Sequence, residues 1–345
     1  MKILIYSDTH IAQDSSIVKG TGEKYSKRLD NVIQSLNWAE ELARKEDCSL
    51  IVNLGDTFDK PVILPMEATA VQDIHWADEL THKVLVGNHD SNVASLEYSS
   101  TMVLKKLPNF DIITQATEWV YPIMPDRCRI LFLPYITEDV RKPLAEYLSP
   151  DWQGKTIIMS HNDIAGFDFG RFVSQEGFKI EDIETNCDLF LNGHLHNSSY
   201  LSDKILNVGN LTGQNFGEDG FKYKHGAWIL ETRDLSLKFV ENPYALKFYK
   251  IDLTKRKFPG KLADVAYPAV VMLTVTPEQA TEARTYLQSH PGIIESRLLV
   301  ENNVVVDDNL PKIERVDYMA EFQKHIVEHL GNSQILQEEL GEICK

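Results

Sequence analysis

Residues 1–10 read MKILIYSDTH. The run KILIY over 2–6 is short, continuous and rich in β-branched residues, the pattern of a strand buried on both faces. Asp8 and His10 follow at once. In an extended segment residues two apart point the same way, so both side chains can reach one point in space. The same arrangement, an apolar run followed by ligand-type side chains, recurs downstream. SLIVNL at 49–54 leads into Gly55 and Asp56, the glycine permitting a sharp turn. KVLVG at 83–87 leads into Asn88, His89 and Asp90; KTIIMS at 155–160 leads into His161 within SHND; DLFLN at 188–192 leads into GHLH, with His194 and His196 again two residues apart.

Between these runs lie helical patterns. Over 26–45, Leu29, Val32, Ile33, Leu36, Ala39 and Ala43 recur at helical spacing, and 65–80 reads as a second helix. Further strands are expected at 129–135 (RILFLPY), 204–209 (KILNVG) and 226–231 (GAWILE). Strands alternating with helices predict an α/β fold with largely parallel strands, covered on both faces. Each motif follows a strand, where such sheets gather their ligands. Five of the 11 histidines lie in these motifs, and two same-facing imidazoles such as His194 and His196 are costly to bury unless something binds them.

The character changes near 241–244. Strands are expected at 247–253, 268–276 and 298–306 and a helix at 277–289, a smaller α+β unit that carries none of the motifs. Beyond Pro311 the spacing of Ile313, Val316, Met319, Ala320, Ile326, Val327 and Leu330 predicts helix, with Gly331 as a stop before an amphipathic tail at 333–343. The expected organisation is therefore 1–242, 243–310 and 311–345.

At 345 residues, 43% hydrophobic and 25% charged, the chain can bury a core without disulfides or structural metals. Any metal it binds is then free for chemistry. Cys48, Cys128, Cys187 and Cys344 form no CxxC pair, which argues against a zinc ribbon or a disulfide framework and fits a reducing cytosol. The apolar run at the N-terminus is too short for a signal peptide, and no stretch approaches the roughly 18 apolar residues of a membrane span. A cytoplasmic protein without membrane contact is expected. The net charge of −16, from 35 basic and 51 acidic residues, means that any nucleic acid must be met by metal ions, a local basic patch or a partner subunit.

Carboxylate, imidazole and amide ligands without thiolate favour borderline divalent ions such as Mn²⁺, Fe²⁺ or Zn²⁺. The candidates Asp8, His10, Asp56, Asn88, His161, His194 and His196 are too many for one ion and suit two, about 3.5–4 Å apart. Such a pair activates water and clamps a phosphoryl oxygen, so phosphate-ester hydrolysis is the expected reaction. His89 can donate a proton to a leaving group. There is no GxxxxGK[ST] loop and no GxSxG elbow, which leaves Walker-type and serine-nucleophile chemistry without support.

The series Asp8-x-His10, Gly55-Asp56, Gly87-Asn88-His89-Asp90, His161 and Gly193-His194-x-His196 resembles the calcineurin-like metallophosphoesterase superfamily over about residues 1–240. The resemblance implies a four-layer sandwich with a smaller C-terminal α+β cap and terminal helices. The opening MKILIYSDTHI, the GDTFDKP turn and the long C-terminal extension resemble SbcD nuclease subunits of bacteria and bacteriophages within that superfamily. On that likeness Asp8, His10 and His196 hold one ion, Asn88, His161 and His194 the other, and Asp56 bridges them. His89 is the acid that orients or protonates at the scissile phosphate, and Asp90 orients His89. Asp59 falls where relatives carry His or Asp. The segment 207–220 (NVGNLTGQNFGEDG) matches the family's glycine-led segment only loosely. The implied activity is that of a Mn²⁺-dependent 3′–5′ exonuclease and endonuclease. The implied assembly is a homodimer that works with an SbcC-type coiled-coil ATPase in break processing, recombination and replication. In that reading 243–310 face DNA and 311–345 dock on the ATPase; a phage-encoded chain works in the host cytoplasm. The alternatives are a phosphodiesterase or phosphatase acting on small nucleotides or phosphoproteins, and a non-catalytic scaffold, which loss of a ligand would mark.

Overall fold

The computed structural model describes residues 1–92, 95–120, 127–166 and 174–301. Its N-terminal half runs β1 (Lys2–Tyr6), α1 (Lys27–Lys45), β2 (Leu50–Asn53), α2 (Pro65–Gln72), β3 (Thr81–Leu85), β4 (Phe110–Ile113), β5 (Thr117–Val120), β6 (Cys128–Leu133) and β7 (Lys155–Ser160). There follow β8 (Ile164–Ala165), β9 (Phe178–Lys179), α3 (Ile180–Asn186), β10 (Leu189–Asn192), β11 (Ser199–Tyr200), β12 (Ile205–Asn207), β13 (Gly226–Glu231) and β14 (Ser236–Glu241). The last elements are β15 (Lys247–Asp252), β16 (Ala269–Val275), α4 (Ala280–Ser289) and β17 (Ile293–Val300).

Two six-stranded sheets form the body, in the orders β14-β13-β1-β2-β3-β4 and β11-β12-β10-β7-β6-β5. The inner strands β1 to β4 are parallel, as are β6, β7, β10 and β12, while β13, β14, β5 and β11 close the edges antiparallel. The period of two along β1 explains the layering. Ile3 and Ile5 enter a core shared with Ile130, Phe132, Ile157, Met159 and Leu191 of the second sheet. Leu4 and Tyr6 face the other way, onto Leu29, Val32, Leu36 and Ala39 of α1. Ile158 and Phe190 pack outward on Ile183 of α3. Helix, sheet, sheet and helix make the expected four layers.

Helix α1 starts where Ser26 accepts from the Leu29 N–H at 3.1 Å, a cap that satisfies one of the free donors of its first turn. The second helix is shorter than its apolar spacing predicts. Past Gln72 the His75 N–H is taken by Asn37 Oδ1 at 2.7 Å and the Ala77 N–H by Glu40 Oε2 at 2.9 Å, so side chains of α1 replace the helical bonds. Strands β4, β5 and β14, which the apolar runs do not reveal, lie at or next to sheet edges where half-polar alternation is tolerated.

Strands β15, β16 and β17 form a separate parallel sheet, with Tyr249, Ile251, Val271, Leu273, Val275, Ala283 and Leu287 in its own core. The strand expected over 298–306 begins instead at Ile293, directly after the break at His290, Pro291 and Gly292. The loop after β12 reaches this sheet: Gly213 N–H donates to Leu246 O at 3.2 Å and Gly220 N–H to Phe248 O at 2.8 Å. Met1–Glu301 is one compact unit. The helices expected over 311–345 and the end of the 298–306 strand lie outside the described residues. Among the described residues no helix is long and apolar enough to cross a membrane.

Candidate metal centre

The carboxyl ends of β1, β2, β3, β7 and β10 meet at one edge where the two sheets face each other. The turns there are laced together past the strands. Asp8 N–H donates to Gly55 O, His10 N–H to Asp56 O and Gly193 N–H to Ser160 O, at 3.0, 3.0 and 2.8 Å. Asp8, His10, Asp56 and His194 all have positive φ, at 54°, 45°, 49° and 74°. A left-handed non-glycine residue costs on the order of 1–2 kcal/mol. Four of them among the ligand candidates mark a place where backbone comfort yields to side-chain placement. Gly87 makes room for it: a Cβ there would stand 2.1 Å from Asp56 Oδ1.

All seven sequence-predicted ligands converge. Ligand atoms of Asp8, His10 and His196 lie within 4.8 Å of one another, and so do those of Asp56, His161 and His194. Asn88 Oδ1 sits 2.9 Å from His194 Nδ1 and 3.2 Å from His161 Nε2. Asp56 stands between the groups, its Oδ2 3.2 Å from His161 Nε2 and 3.8 Å from His10 Nε2. Asp8, Asp56 and His161 are fully buried or within 1% of it.

The donor set fits a pair of divalent cations. Asp8 Oδ1 and both ring nitrogens of His10 are buried with no hydrogen-bond partner, a state that costs free energy unless something else contacts these atoms. Asp59 Oδ1 approaches His10 Nδ1 at 3.4 Å without the alignment of a hydrogen bond. Burial pushes the His10 imidazole below its ordinary pKa. Burial also disfavours charge on His161, but Asp56 outweighs it and lifts that imidazole to about 9. His161 in turn overcomes burial to hold Asp56 well below the usual carboxylate range.

Each remaining imidazole is tied on its outer side. His161 Nδ1 meets Leu54 O at 2.8 Å, His194 Nε2 meets Asp163 Oδ1 at 3.1 Å, and His196 Nδ1 meets Glu218 Oε1 at 2.8 Å. This leaves His161 Nε2, His194 Nδ1 and His196 Nε2 for coordination, the usual outer support of metal-binding histidines. Sequence reasoning does not single out Asp163 or Glu218. Asp163 is two residues beyond His161 in SHND, so the spacing that flags Asp8 with His10 could have found it. Glu218 lies 22 residues beyond His196, and only the fold brings it there.

His89 is exposed beside the cluster, its ring 4.7 Å from that of His10. Its N–H donates to Asp56 Oδ1 at 2.9 Å, and its Nδ1 meets Asp59 O at 3.0 Å. Asp90 does not take the place expected for it. Its buried carboxylate accepts from the N–H groups of Gly87, Thr57 and Phe58 at 2.9, 3.2 and 2.8 Å, so it braces the turns that carry Asp56 and Asn88. The carbonyl of Asp59 orients the His89 ring instead. Burial, with Asp56 nearby, raises the Asp90 carboxyl to about 7.

A family model of the calcineurin-like phosphoesterases matches residues 1–198. A protein of Invertebrate iridescent virus 3, provisionally named a phosphoesterase, is 26% identical over 176 residues, 48% of each chain. The chain thus spans about half the length of this curated relative. Among solved structures, an archaeal phosphodiesterase is 15% identical with a TM-score of 0.35, over 70% of this chain and 99% of that one. A protein of Thermus thermophilus gives 14% and 0.41, over 70% and 98%. A Danio rerio dimetal phosphatase gives 13% and 0.40, over 66% and 91%.

Proposed function

This chain belongs to the calcineurin-like phosphoesterase family, and from that premise we propose that it is a two-metal nuclease that hydrolyses DNA phosphodiesters. The observation that carries the hydrolytic part is the convergence of the Asp8, His10, His196 and Asp56, His161, His194 groups, with buried atoms of Asp8 and His10 left without partners. Asp8, His10 and His196 would hold one divalent ion, Asn88, His161 and His194 the other, with Asp56 shared. Bound there, the ions supply the charge that activates water and stabilises the phosphoryl oxygens. His89, exposed beside the cluster with one ring nitrogen held by Asp59 O, presents its other nitrogen to a leaving oxygen and donates the proton. Asp163, on the outer nitrogen of His194, fixes the tautomer of that ring.

DNA as substrate is supported by the sheet of β15, β16 and β17, which the 213–220 loop joins to the metal-bearing edge. A small phosphoester would need no such surface. In this proposal residues 243–310 form the DNA-facing cap and 311–345 dock on an SbcC-type ATPase partner. The working form is a homodimer in the cytoplasm, or in the host's cytoplasm for a phage-encoded chain. Manganese is the proposed ion on the likeness to SbcD subunits, and the mixed oxygen and imidazole donor set admits it beside Fe²⁺ and Zn²⁺. Cleavage at 3′ ends and internally, in break processing, recombination and replication, follows from the likeness to SbcD subunits.

The test is cleavage of end-labelled duplex and single-stranded DNA with Mn²⁺, Mg²⁺ or EDTA, beside a panel of small nucleotide phosphodiesters. Mn²⁺-dependent DNA degradation that His89→Ser abolishes is the expected result. Turnover of small esters with DNA intact would keep the metal centre and replace the nuclease by a small-molecule phosphodiesterase.

A further inference from the structure

The segment 207–220 fits the family pattern loosely, yet it delivers a buried carboxylate to the metal centre. Glu218 is 1% exposed. Its Oε1 lies 2.8 Å from His196 Nδ1 and accepts from Asn215 Nδ2 at 2.7 Å. Its Oε2 accepts from Asn210 Nδ2 at 3.0 Å and from the Gln214 N–H at 2.8 Å. His225 Nε2 is 3.9 Å away, and that buried ring, held near pKa 4 chiefly by burial, brings no charge at neutral pH. A carboxylate accepting four donors is itself immobile. An ionised carboxylate can only accept, so Nδ1 of His196 must be the protonated nitrogen and Nε2 the one that coordinates.

The same loop holds the other wall of this half-site. Gln214 Nε2 donates to Asp8 O at 2.7 Å, and the Leu211 N–H donates to Ser7 O at 3.1 Å. Asp8 has a left-handed backbone, so its direction depends on such restraints. The second half-site has a separate device, Asp163 on His194, and His161 leans on Leu54 O. Apart from the shared Asp56 and the His194 N–H that donates to Asp8 Oδ2 at 3.1 Å, the two ions would therefore be supported by different parts of the chain.

We infer that Glu218 is the positioning residue of the Asp8, His10 and His196 half-site, fixing His196 with Nε2 toward the ion, and that it does so independently of the Asn88, His161 and His194 half-site. This rests on the two-metal reading above. Asn210, Gln214 and Asn215 hold Glu218, and the backbone of the same loop is bonded to β15, so the half-site and the C-terminal sheet share one support.

The full chain, stripped with EDTA, is titrated with Mn²⁺ by calorimetry. The wild type takes up two ions. Glu218→Gln is expected to keep one at wild-type affinity and to bind the other about ten- to a hundredfold more weakly. In a His196→Ala background Glu218→Gln should add nothing, whereas Asp163→Asn should still add its own loss. Unchanged affinity for both ions in Glu218→Gln, or equal loss of both with the fold intact by circular dichroism, overturns the inference. A wild type that takes up no pair of ions refutes the two-metal reading itself. Should Glu218→Gln not fold, long-range proton–nitrogen NMR of the zinc-loaded wild type decides. Its His196 signal, identified by its loss in His196→Ala, should show a protonated Nδ1 and a metal-bearing Nε2; zinc on Nδ1 overturns the inference.

Discussion

The carboxyl edge of the sandwich and the sheet of β15, β16 and β17 use their residues in opposite ways. At the edge, four ligand candidates have left-handed backbones, and Asp8 and His10 bury polar atoms without partners. In the C-terminal sheet and the helix α4 packed on it, the buried side chains are almost wholly apolar, with Val271, Leu273, Val275 and Ala283 at 0% exposure. One region is arranged at the expense of its own stability, the other in its favour. The difference teaches where each kind of damage should appear. Substitutions at the edge should remove chemistry with little loss of fold, and substitutions in the sheet should do the reverse.

The largest effect should come from Asp56→Ala. It removes the carboxylate that stands between the two ligand groups, and hydrolysis should fall on the order of 10³-fold or more. Metal uptake should weaken with it. Manganese at a hundred times its dissociation constant should stabilise the wild type by about 2.7 kcal/mol for each ion bound, and thermal melts should show that gain reduced in the variant. Next is His89→Ser, where the loss should be about 10²–10⁴-fold. Because His89 touches the cluster from outside, this variant should retain two ions. Metal analysis finding it stripped of them would merge the two roles that the geometry separates.

The edge was far more legible in sequence than its support. Asp8, His10, Asp56, Asn88, His161, His194 and His196 each follow an apolar run within a few residues, so strand periodicity alone places them. Glu218 is brought to His196 by a loop that turns between β12 and β13, and no local pattern encodes that return. The Asp90 assignment failed for a related reason. Adjacency to His89 suggests a partner, but neighbours in a turn need not meet, and the N–H groups of Gly87, Thr57 and Phe58 take the carboxylate instead. In the sandwich, the buried parallel strands announced themselves, while β4, β5 and β14 did not, because their residues are half exposed. The short α2 shows how Asn37 and Glu40 of a neighbouring helix can override helical spacing.

A smaller effect on chemistry, and a large one on stability, is expected from Leu273→Ala. Leu273 is fully buried in the centre of β16, and the lost contacts plus the residual cavity should cost about 2–5 kcal/mol. Turnover of a small phosphodiester, measured well below the melting temperature, should stay within about threefold of the wild type, since a stable fold leaves the edge as it was. A loss of small-ester turnover as deep as that of His89→Ser would break the contrast between the two regions.

The smallest effect should sit at their junction. Gln214 belongs to neither region. Its side chain donates to Asp8 O at 2.7 Å, its N–H donates to Glu218 at 2.8 Å, and its neighbour Gly213 is bonded to Leu246 at the start of the C-terminal sheet. Gln214→Ala removes only the first of these. A single hydrogen bond of this kind contributes about 0.5–1.5 kcal/mol, so a loss expressed wholly in the half-site would be about two- to tenfold. The Asp8 ion should bind more weakly by that factor, while the melting temperature without metal shifts by only a few degrees. If the shift in melting temperature dominates and manganese affinity stays unchanged, the bond serves the fold alone. In that case the loop is a strut of the sandwich, and Asp8 is held in its left-handed conformation by Gly55 O and the β1 turn without help from the C-terminal side.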